Sequence, residues 1–187
     1  MRGSTHRRAG PTESRTIAKH VRALLLILCL PWVGSTQAGE PVALPDPAPL
    51  FAATLWDVGN RPYPLAALRG KPLLVNFWAR WCGPCRVEIP ELVRVRREFR
   101  DRGLQVVGIG IEDQAATVGE FARAYEMDYT VLLAKDAGLP LMKTLGNSKG
   151  GLPYTLIIDG NGRTVARFEG LLKPAELDAA LARLFRG

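Results

Sequence analysis

Histidine and cysteine are scarce in this chain of 187 residues, which contains two histidines and three cysteines. Both histidines and one cysteine, Cys29, lie within the first 38 residues. A structural zinc site takes about four ligands of these two types, so a lone Cys-x-x-Cys pair cannot complete one. The pair formed by Cys82 and Cys85 therefore needs another explanation, and we predict no bound metal.

Long apolar runs are also lacking. The run ALLLILCLPWV, residues 23–33, has about eleven residues, whereas a membrane-spanning helix needs about 20. It follows a basic stretch that ends at Arg22 and precedes small and polar residues that end at Ala38, which is the organisation of a secretory signal. We predict that residues 1–38 are a signal peptide cleaved after Ala38. Because Thr36 is an imperfect small residue for cleavage, an uncleaved anchor that tethers the protein to the membrane is the alternative.

Acidic residues are few in the same segment, and this accounts for most of the net charge of +7. Residues 1–38 hold six Lys and Arg residues and one acid, which leaves 19 basic and 17 acidic residues in the remainder. The remainder of the chain therefore carries a charge of only +2. A basic surface for nucleic acid is not indicated, and we predict no nucleic-acid partner.

Proline is concentrated just after the predicted signal. Residues 39–50, GEPVALPDPAPL, include four prolines, which fix the backbone angle φ and lack an N–H donor. We predict an extended tether over this stretch. The globular domain is then expected to span residues 51–187, a usual size for one domain.

Along this domain, apolar patterns typical of strands alternate with apolar patterns typical of helices. Residues 51–65 alternate and turn at Val58-Gly59-Asn60, which predicts a β-hairpin. The runs KPLLVNFWA and LQVVGIGI predict two buried parallel strands, joined by an amphipathic helix from Cys85 to about Arg100. A further helix, strand and short helix precede a second hairpin and a C-terminal helix. This order predicts an α/β fold with a mixed central sheet flanked by helices.

Cys82 and Cys85 stand at the predicted start of the first long helix. A disulfide between them would close a very small loop and remove little entropy from the unfolded chain, so stability is a poor reason for it. Backbone N–H groups and the helix dipole at a helix N-terminus stabilise a thiolate. Exchange of disulfides needs such a thiolate and a second thiol that resolves the mixed disulfide. We predict a redox-active pair in which Cys82 is the exposed attacking residue and Cys85, partly buried, resolves.

The stretch NFWARWCGPC, followed by Pro90 in the helix and later by GLPYTLIIDGNGR, resembles the thioredoxin fold. The N-terminal hairpin and the extra segment at residues 106–136 are similar to those of the exported TlpA/ResA-like thiol-disulfide oxidoreductases. The resemblance covers about residues 51–187. It implies a thioredoxin-like fold with an N-terminal β-hairpin and a central insert, and a disulfide reductase that works in the periplasm without a cofactor.

The resemblance also implies a cis peptide bond before Pro153, which would place the backbone of Leu152 beside the cysteines to pair with an extended substrate segment. Cis bonds are essentially limited to X-Pro, and an ordinary trans proline is the alternative. Trp81 is expected to be partly exposed near Cys82, and the residues between the cysteines let the chain turn tightly into the helix. The substrate-binding residues predicted in this way are Trp81, Gly83, Pro84, Leu152 and Pro153.

An acid that assists the resolving thiol is less evident. Thioredoxins carry a buried Asp on the strand before the motif. In this chain the resemblance matches that position to Asn76, and an amide side chain cannot take a proton. TlpA/ResA-like proteins have a carboxylate from the insert near the active site, and GIEDQ offers Glu112 and Asp113 at a strand end. We predict that Glu112 is the catalytic acid. One alternative is that Asp113 takes this role, and another is that both are solvated acids without a catalytic role.

The Gly-Pro between the cysteines resembles thioredoxin and favours the reducing direction, in which Cys82 attacks a disulfide of a client protein and Cys85 releases the reduced client. The resemblance implies an apocytochrome c as the client and a membrane thiol carrier as the electron donor. Three alternatives stay open: an oxidant that donates its disulfide, a copper carrier that uses the two sulfurs, and a binding domain with an idle cysteine pair.

Overall fold

Residues 43–186 are described by a computed structural model of the chain. The helices in this range are α1 (Ala48–Ala52), α2 (Gly83–Glu98), α3 (Ala115–Ala124), α4 (Gly138–Thr144) and α5 (Pro174–Leu184). The strands are β1 (Thr54–Asp57), β2 (Pro62–Pro64), β3 (Leu73–Trp78), β4 (Gln105–Gly110), β5 (Thr130–Leu133), β6 (Tyr154–Ile158) and β7 (Thr164–Glu169). The predicted signal peptide and the first residues of the predicted tether lie outside the described residues.

All seven of these strands belong to one mixed sheet, in the order β2-β1-β5-β4-β3-β6-β7. Strand β3 pairs in parallel with β4, and β4 in parallel with β5. The remaining pairs, β1 with β2, β1 with β5, β3 with β6 and β6 with β7, are antiparallel. Both predicted hairpins and the predicted β-α-β unit are therefore present, and the mixed sheet flanked by helices is confirmed.

Strand β3 is the centre of the fold because both of its faces are covered. Each of its six residues is at most 1% exposed, as its continuous apolar run predicts. Leu74 and Trp78 face the apolar layer that α2, α3 and α5 complete. Leu73 and Phe77 face the opposite layer, which α1 and α4 complete. Since the strand ends at Trp78, the cysteine motif follows at the carboxyl edge of the sheet.

The packed domain begins earlier in the chain than predicted. Residues 48–50, which the sequence assigns to an extended tether, form the first part of α1, and Leu50 is only 1% exposed. Just before them, the carbonyl of Pro45 accepts a hydrogen bond of 2.6 Å from the Thr164 hydroxyl. The prolines allow this because one can occupy the first turn of a helix, where its missing N–H costs nothing. None of the helices between residues 43 and 186 is both long and apolar enough to cross a membrane.

Candidate active site

The cysteine pair lies where β3 turns into α2. Cys82 is the N-cap of α2 in an extended conformation, and Gly83 and Pro84 are the first helical residues. Proline suits this turn because its fixed φ is already helical and its missing N–H would have no partner in the helix. Cys82 and Cys85 form a disulfide, with their Cα atoms 5.3 Å apart. The backbone N–H of Cys85 also donates a hydrogen bond of 3.2 Å to Sγ of Cys82.

Exposure of the two cysteines differs from the prediction in degree. Cys82 is 5% exposed and Cys85 is 1% exposed, so the predicted order holds, but the prediction that Cys82 is openly exposed is wrong for this disulfide state. The reason is that Sγ of Cys82 points into the first turn of α2, where it bonds Cys85 and receives its N–H. A thiolate formed at this sulfur would keep that N–H donor, which stabilises negative charge.

The residues predicted to contact a substrate differ in how far they are exposed. Trp81 is 69% exposed, whereas Trp78 is buried in the core. Gly83 and Leu152 are half-buried and Pro84 is exposed. Leu152 packs against the apolar layer that contains both cysteines.

The loop before β6 has a fixed backbone. The peptide bond between Leu152 and Pro153 is cis, and the carbonyl of Pro153 accepts a hydrogen bond of 2.9 Å from the N–H of Gly170. Tyr154, the next residue, is fully buried, and its hydroxyl donates to the carbonyl of Leu145. Tyr154 is therefore part of the core rather than of a surface that could contact a substrate.

Glu112, the acid predicted from the sequence, is paired with Arg80. Its carboxylate lies 3.1 Å from Nε of Arg80 and also accepts a hydrogen bond of 3.2 Å from the Arg80 backbone N–H. Arg80 precedes Cys82 by two residues, so Glu112 holds the loop that leads into the motif. Asp113 is exposed beside it. This geometry fits a positioning role for Glu112 better than proton transfer, because its charge is already balanced.

Sequence reasoning missed Glu88. This residue is only 2% exposed, although a glutamate side chain in water is charged at neutral pH. Its carboxylate accepts hydrogen bonds of 2.6 Å from Nδ2 of Asn76 and 3.1 Å from the N–H of Leu172. Burial raises the pKa of Glu88 to about 7, against the opposing effect of these two bonds. Glu88 follows Cys85 by three residues in α2, which places both on one face of the helix.

A sequence signal for Glu88 was present. Cys85, Ile89 and Leu92 mark the apolar face of α2 at spacings of three and four residues, and Glu88 falls on that face. A carboxylate on a buried helix face is rare unless it has partners, so its position in the pattern points to a functional group.

Asn76 links this acid to the sheet. Its amide donates to Glu88 and, over 3.0 Å, to the hydroxyl of Thr155 on the neighbouring strand. The position that was expected to lack a proton carrier thus orients a buried carboxylate on the adjacent helix. Between residues 43 and 186 no group of three or more His, Cys, Asp or Glu side chains is placed to hold a metal ion.

Comparison with known proteins gives one family over most of this domain. Residues 44–167 match the AhpC/TSA family. The thiol:disulfide interchange protein HelX of Rhodobacter capsulatus is 34% identical over 167 residues, 83% of this chain and 90% of the relative. The thiol-disulfide oxidoreductase ResA of Bacillus cereus is 26% identical over 166 residues, 86% of this chain and 92% of the relative.

Solved structures agree with these sequence relatives. A thiol:disulfide interchange protein of the thioredoxin family from Chlorobium tepidum is 30% identical and superposes with a TM-score of 0.64, over 77% of this chain and 99% of its own. A secreted disulfide oxidoreductase of Mycobacterium tuberculosis shares the fold at 22% identity, with a TM-score of 0.61 over 72% of this chain and 97% of its own. The resemblance to ResA-like proteins is therefore confirmed. The chain belongs to the AhpC/TSA family, and within it to the thiol-disulfide oxidoreductases with a thioredoxin-like fold.

Proposed function

We propose that the protein reduces disulfides of client proteins through Cys82 and Cys85, with Glu88 as the group that moves the proton. One observation carries this proposal: Sγ of Cys82 receives an N–H at the start of α2 while a buried carboxyl with a pKa near 7 lies one turn further on. The first feature favours a thiolate, and the second supplies a base and acid that works near neutral pH.

The exchange proceeds in two steps that transfer two electrons to the client. The thiolate of Cys82 attacks one sulfur of the client disulfide, and the other client sulfur leaves as a thiolate. Cys85 then loses its proton to Glu88 and attacks Sγ of Cys82. This second attack forms the Cys82–Cys85 disulfide and releases the second client sulfur as a thiolate, which is protonated by Glu88 or solvent.

Client binding follows from the surroundings of the pair. The exposed indole of Trp81 offers an apolar surface next to Cys82. The backbone of Leu152, before the cis bond to Pro153, is proposed to pair with an extended segment of the client as an added strand would. Gly83 and Pro84 lack bulky polar side chains and let the client approach the sulfur.

The proposal places the protein in the periplasm, exported by the signal at residues 1–38, with an uncleaved anchor as the alternative form. An apocytochrome c is the proposed client, and a membrane thiol carrier is the proposed electron donor that reduces Cys82–Cys85 again. The support for these partners is the resemblance of the domain to TlpA/ResA-like proteins.

Trapping of mixed disulfides tests the proposal directly. Cys85→Ala removes the resolving thiol, so a client should stay covalently bound to Cys82, and Cys82→Ser should trap nothing. The wild-type chain should also reduce insulin, and the pair should be mostly dithiol in cells quenched with acid and alkylated. A mostly oxidised pair in such cells would instead identify a disulfide donor.

Reactivity of the reduced protein gives a second test. Opening the disulfide should make Sγ of Cys82 accessible, so iodoacetamide should modify Cys82 well before Cys85. If Cys82 stays unmodified in the folded, reduced protein, it cannot act as the attacking residue.

A further inference from the structure

Two buried polar groups near Glu88 have no hydrogen-bond partner in the described part of the chain, the indole N–H of Trp78 and the hydroxyl of Tyr129. Trp78 is 1% exposed and Tyr129 is 8% exposed. A buried donor without a partner costs free energy, and most such groups in proteins are satisfied by protein or by an internal water. The two groups therefore indicate a place where a small polar molecule is bound.

The sheet brings both groups to one place. Asn76 on β3 pairs with Gly108 on β4, and Gly108 pairs with Val131 on β5. A Cβ atom at Gly108 would lie 3.0 Å from Cε2 of Tyr129 and 3.1 Å from Nε1 of Trp78. Because Gly108 has no side chain, the indole nitrogen and the phenol ring both pack closely against it, beside the strand position that holds Asn76.

Glu88 lies on the same face of the sheet as Trp78, because its carboxylate is bonded to the amide of Asn76, and residues two apart on a strand point to the same face. Burial raises the pKa of Tyr129, and the negative charge of Glu88 raises it further, as does that of Asp128. Each carboxylate oxygen of Glu88 accepts one hydrogen bond in the structure, and a carboxylate oxygen has room for a second. One acceptor and two donors are therefore buried on the same face of the sheet.

Tyr129 also lines an open cavity of about 500 Å³. The hydroxyl oxygen of Tyr129 is buried, so it faces the interior of the protein and not this cavity.

We propose that one internal water, which accepts hydrogen bonds from the indole N–H of Trp78 and the hydroxyl of Tyr129, donates to Glu88, and that Tyr129 is a positioning residue that holds this water against the acid. The hydrogen bond from the water favours the charged form of Glu88 and so opposes the effect of burial on its pKa. The inference rests on the proposed role of Glu88 in exchange.

Tyr129→Phe tests this link because it removes only the hydroxyl. Without the water's partner, the charged form of Glu88 loses a hydrogen bond, so its pKa should rise by about one unit. The rise is measured by ¹³C NMR of the carboxyl groups in the oxidised protein, with the Glu88 signal assigned by its loss in Glu88→Gln. Tyr63→Phe, a half-buried tyrosine on the other side of the sheet, is the control and should leave the titration unchanged.

The indole resonance of Trp78 gives a second reading that needs no substitution at Tyr129. Its ¹H–¹⁵N signal should titrate with the pKa of Glu88 in the wild-type protein and become independent of pH in Glu88→Gln. Superimposable Glu88 titrations in Tyr129→Phe and wild type, or a Trp78 signal that never titrates, would overturn the inference. Both readings use the oxidised protein, so they stand even if insulin reduction fails and the proposed function with it.

Discussion

At the scale of single residues, the two acids near the motif are distinguished by what surrounds each carboxylate. Glu112 is bonded to a guanidinium and a backbone N–H, whereas Glu88 is bonded to one neutral amide and one backbone N–H in a buried place. Burial without a positive partner raises the pKa of Glu88 and keeps its neutral form accessible near neutral pH. The burial of Glu88, to which the apolar pattern of α2 pointed, therefore moves the proposed role of proton carrier from Glu112 to Glu88.

Glu88→Gln should slow insulin reduction by about 10²-fold, because proton transfer by a placed acid or base contributes a factor of this order. Glu98→Gln, at an exposed position of the same helix, should leave turnover near the wild-type value. Steady-state turnover from pH 5 to pH 9 measures both. Wild-type turnover in Glu88→Gln would remove this residue from the mechanism.

Glu88 should also give the oxidised protein a stability that depends on pH. Its pKa is about 7 when folded and near its ordinary value of 4.5 when unfolded, so between these values the folded state binds more protons. The stability that this group contributes is fully present below pH 4.5 and is lost as the pH rises to 7, by at most about 3 kcal/mol. Urea unfolding at several pH values should show this decline in wild type and a smaller one in Glu88→Gln. Parallel curves for the two proteins would mean that Glu88 titrates normally.

Glu112→Gln should lower kcat/KM a few-fold without moving the pH profile of Cys85 reactivity, because it loosens the loop at Arg80 rather than removing the base. Asp113→Asn, its exposed neighbour, is the matched control and should behave as wild type. Alkylation rates of Cys85 across pH give the profile. A shift in Glu112→Gln that is absent from Glu88→Gln would restore the assignment made from the sequence.

At the scale of elements, the periodicity of apolar residues predicts the type and order of the helices and strands well. It predicts their first and last residues less well. The run at β3, the hairpin of β6 and β7 and the amphipathic helices are all found where the pattern places them. Helix α2 begins at Gly83 rather than Cys85. The apolar repeat begins only at the first buried helical residue, whereas the N-cap and the proline start the helix before that residue. The start of α1 within a proline-rich stretch was missed because its stabilising contacts come from distant parts of the fold.

Strand β4 offers a test of how closely Tyr129 and Trp78 pack around Gly108. Gly108→Ala should destabilise the protein by about 1–3 kcal/mol, since the added Cβ would meet the rings of Tyr129 and Trp78 at 3.0 and 3.1 Å. Gly110→Ala, two residues along the same strand, should be tolerated, because its nearest contact would be an ordinary 3.6 Å. Thermal unfolding compares the two, and equal melting temperatures would contradict the close packing at Gly108.

At the scale of the whole molecule, the fold followed from the sequence because the order of apolar runs and the cysteine motif constrain the same architecture. The cysteine pair was predicted from the spacing alone, whereas the network of Asn76, Glu88 and Thr155 joins residues up to 79 positions apart. No local pattern contains that information. The network forms because the antiparallel pairing of β3 with β6 places Asn76 opposite Thr155.

Export is the prediction that concerns the chain as a whole. In a Gram-negative host the mature protein should be found in the periplasmic fraction with a mass that begins at Gly39. A full-length mass in the membrane fraction would support the uncleaved anchor. Recovery of the full-length chain in the cytosol would contradict export, and deletion of residues 1–38 is the control that should give this result.

The hydrogen bond from Leu172 to Glu88 has a consequence for how the protein can be observed. The segment between β7 and α5 contacts two parts of the proposed site at once, because the N–H of Gly170 donates to the carbonyl of Pro153 and the N–H of Leu172 donates to Glu88. The amide chemical shift of Leu172 should therefore record the ionisation of Glu88, and that of Gly170 the arrival of a peptide at the cis-proline loop. Two signals two residues apart would then report protonation and docking separately, in a single spectrum of the unmodified chain.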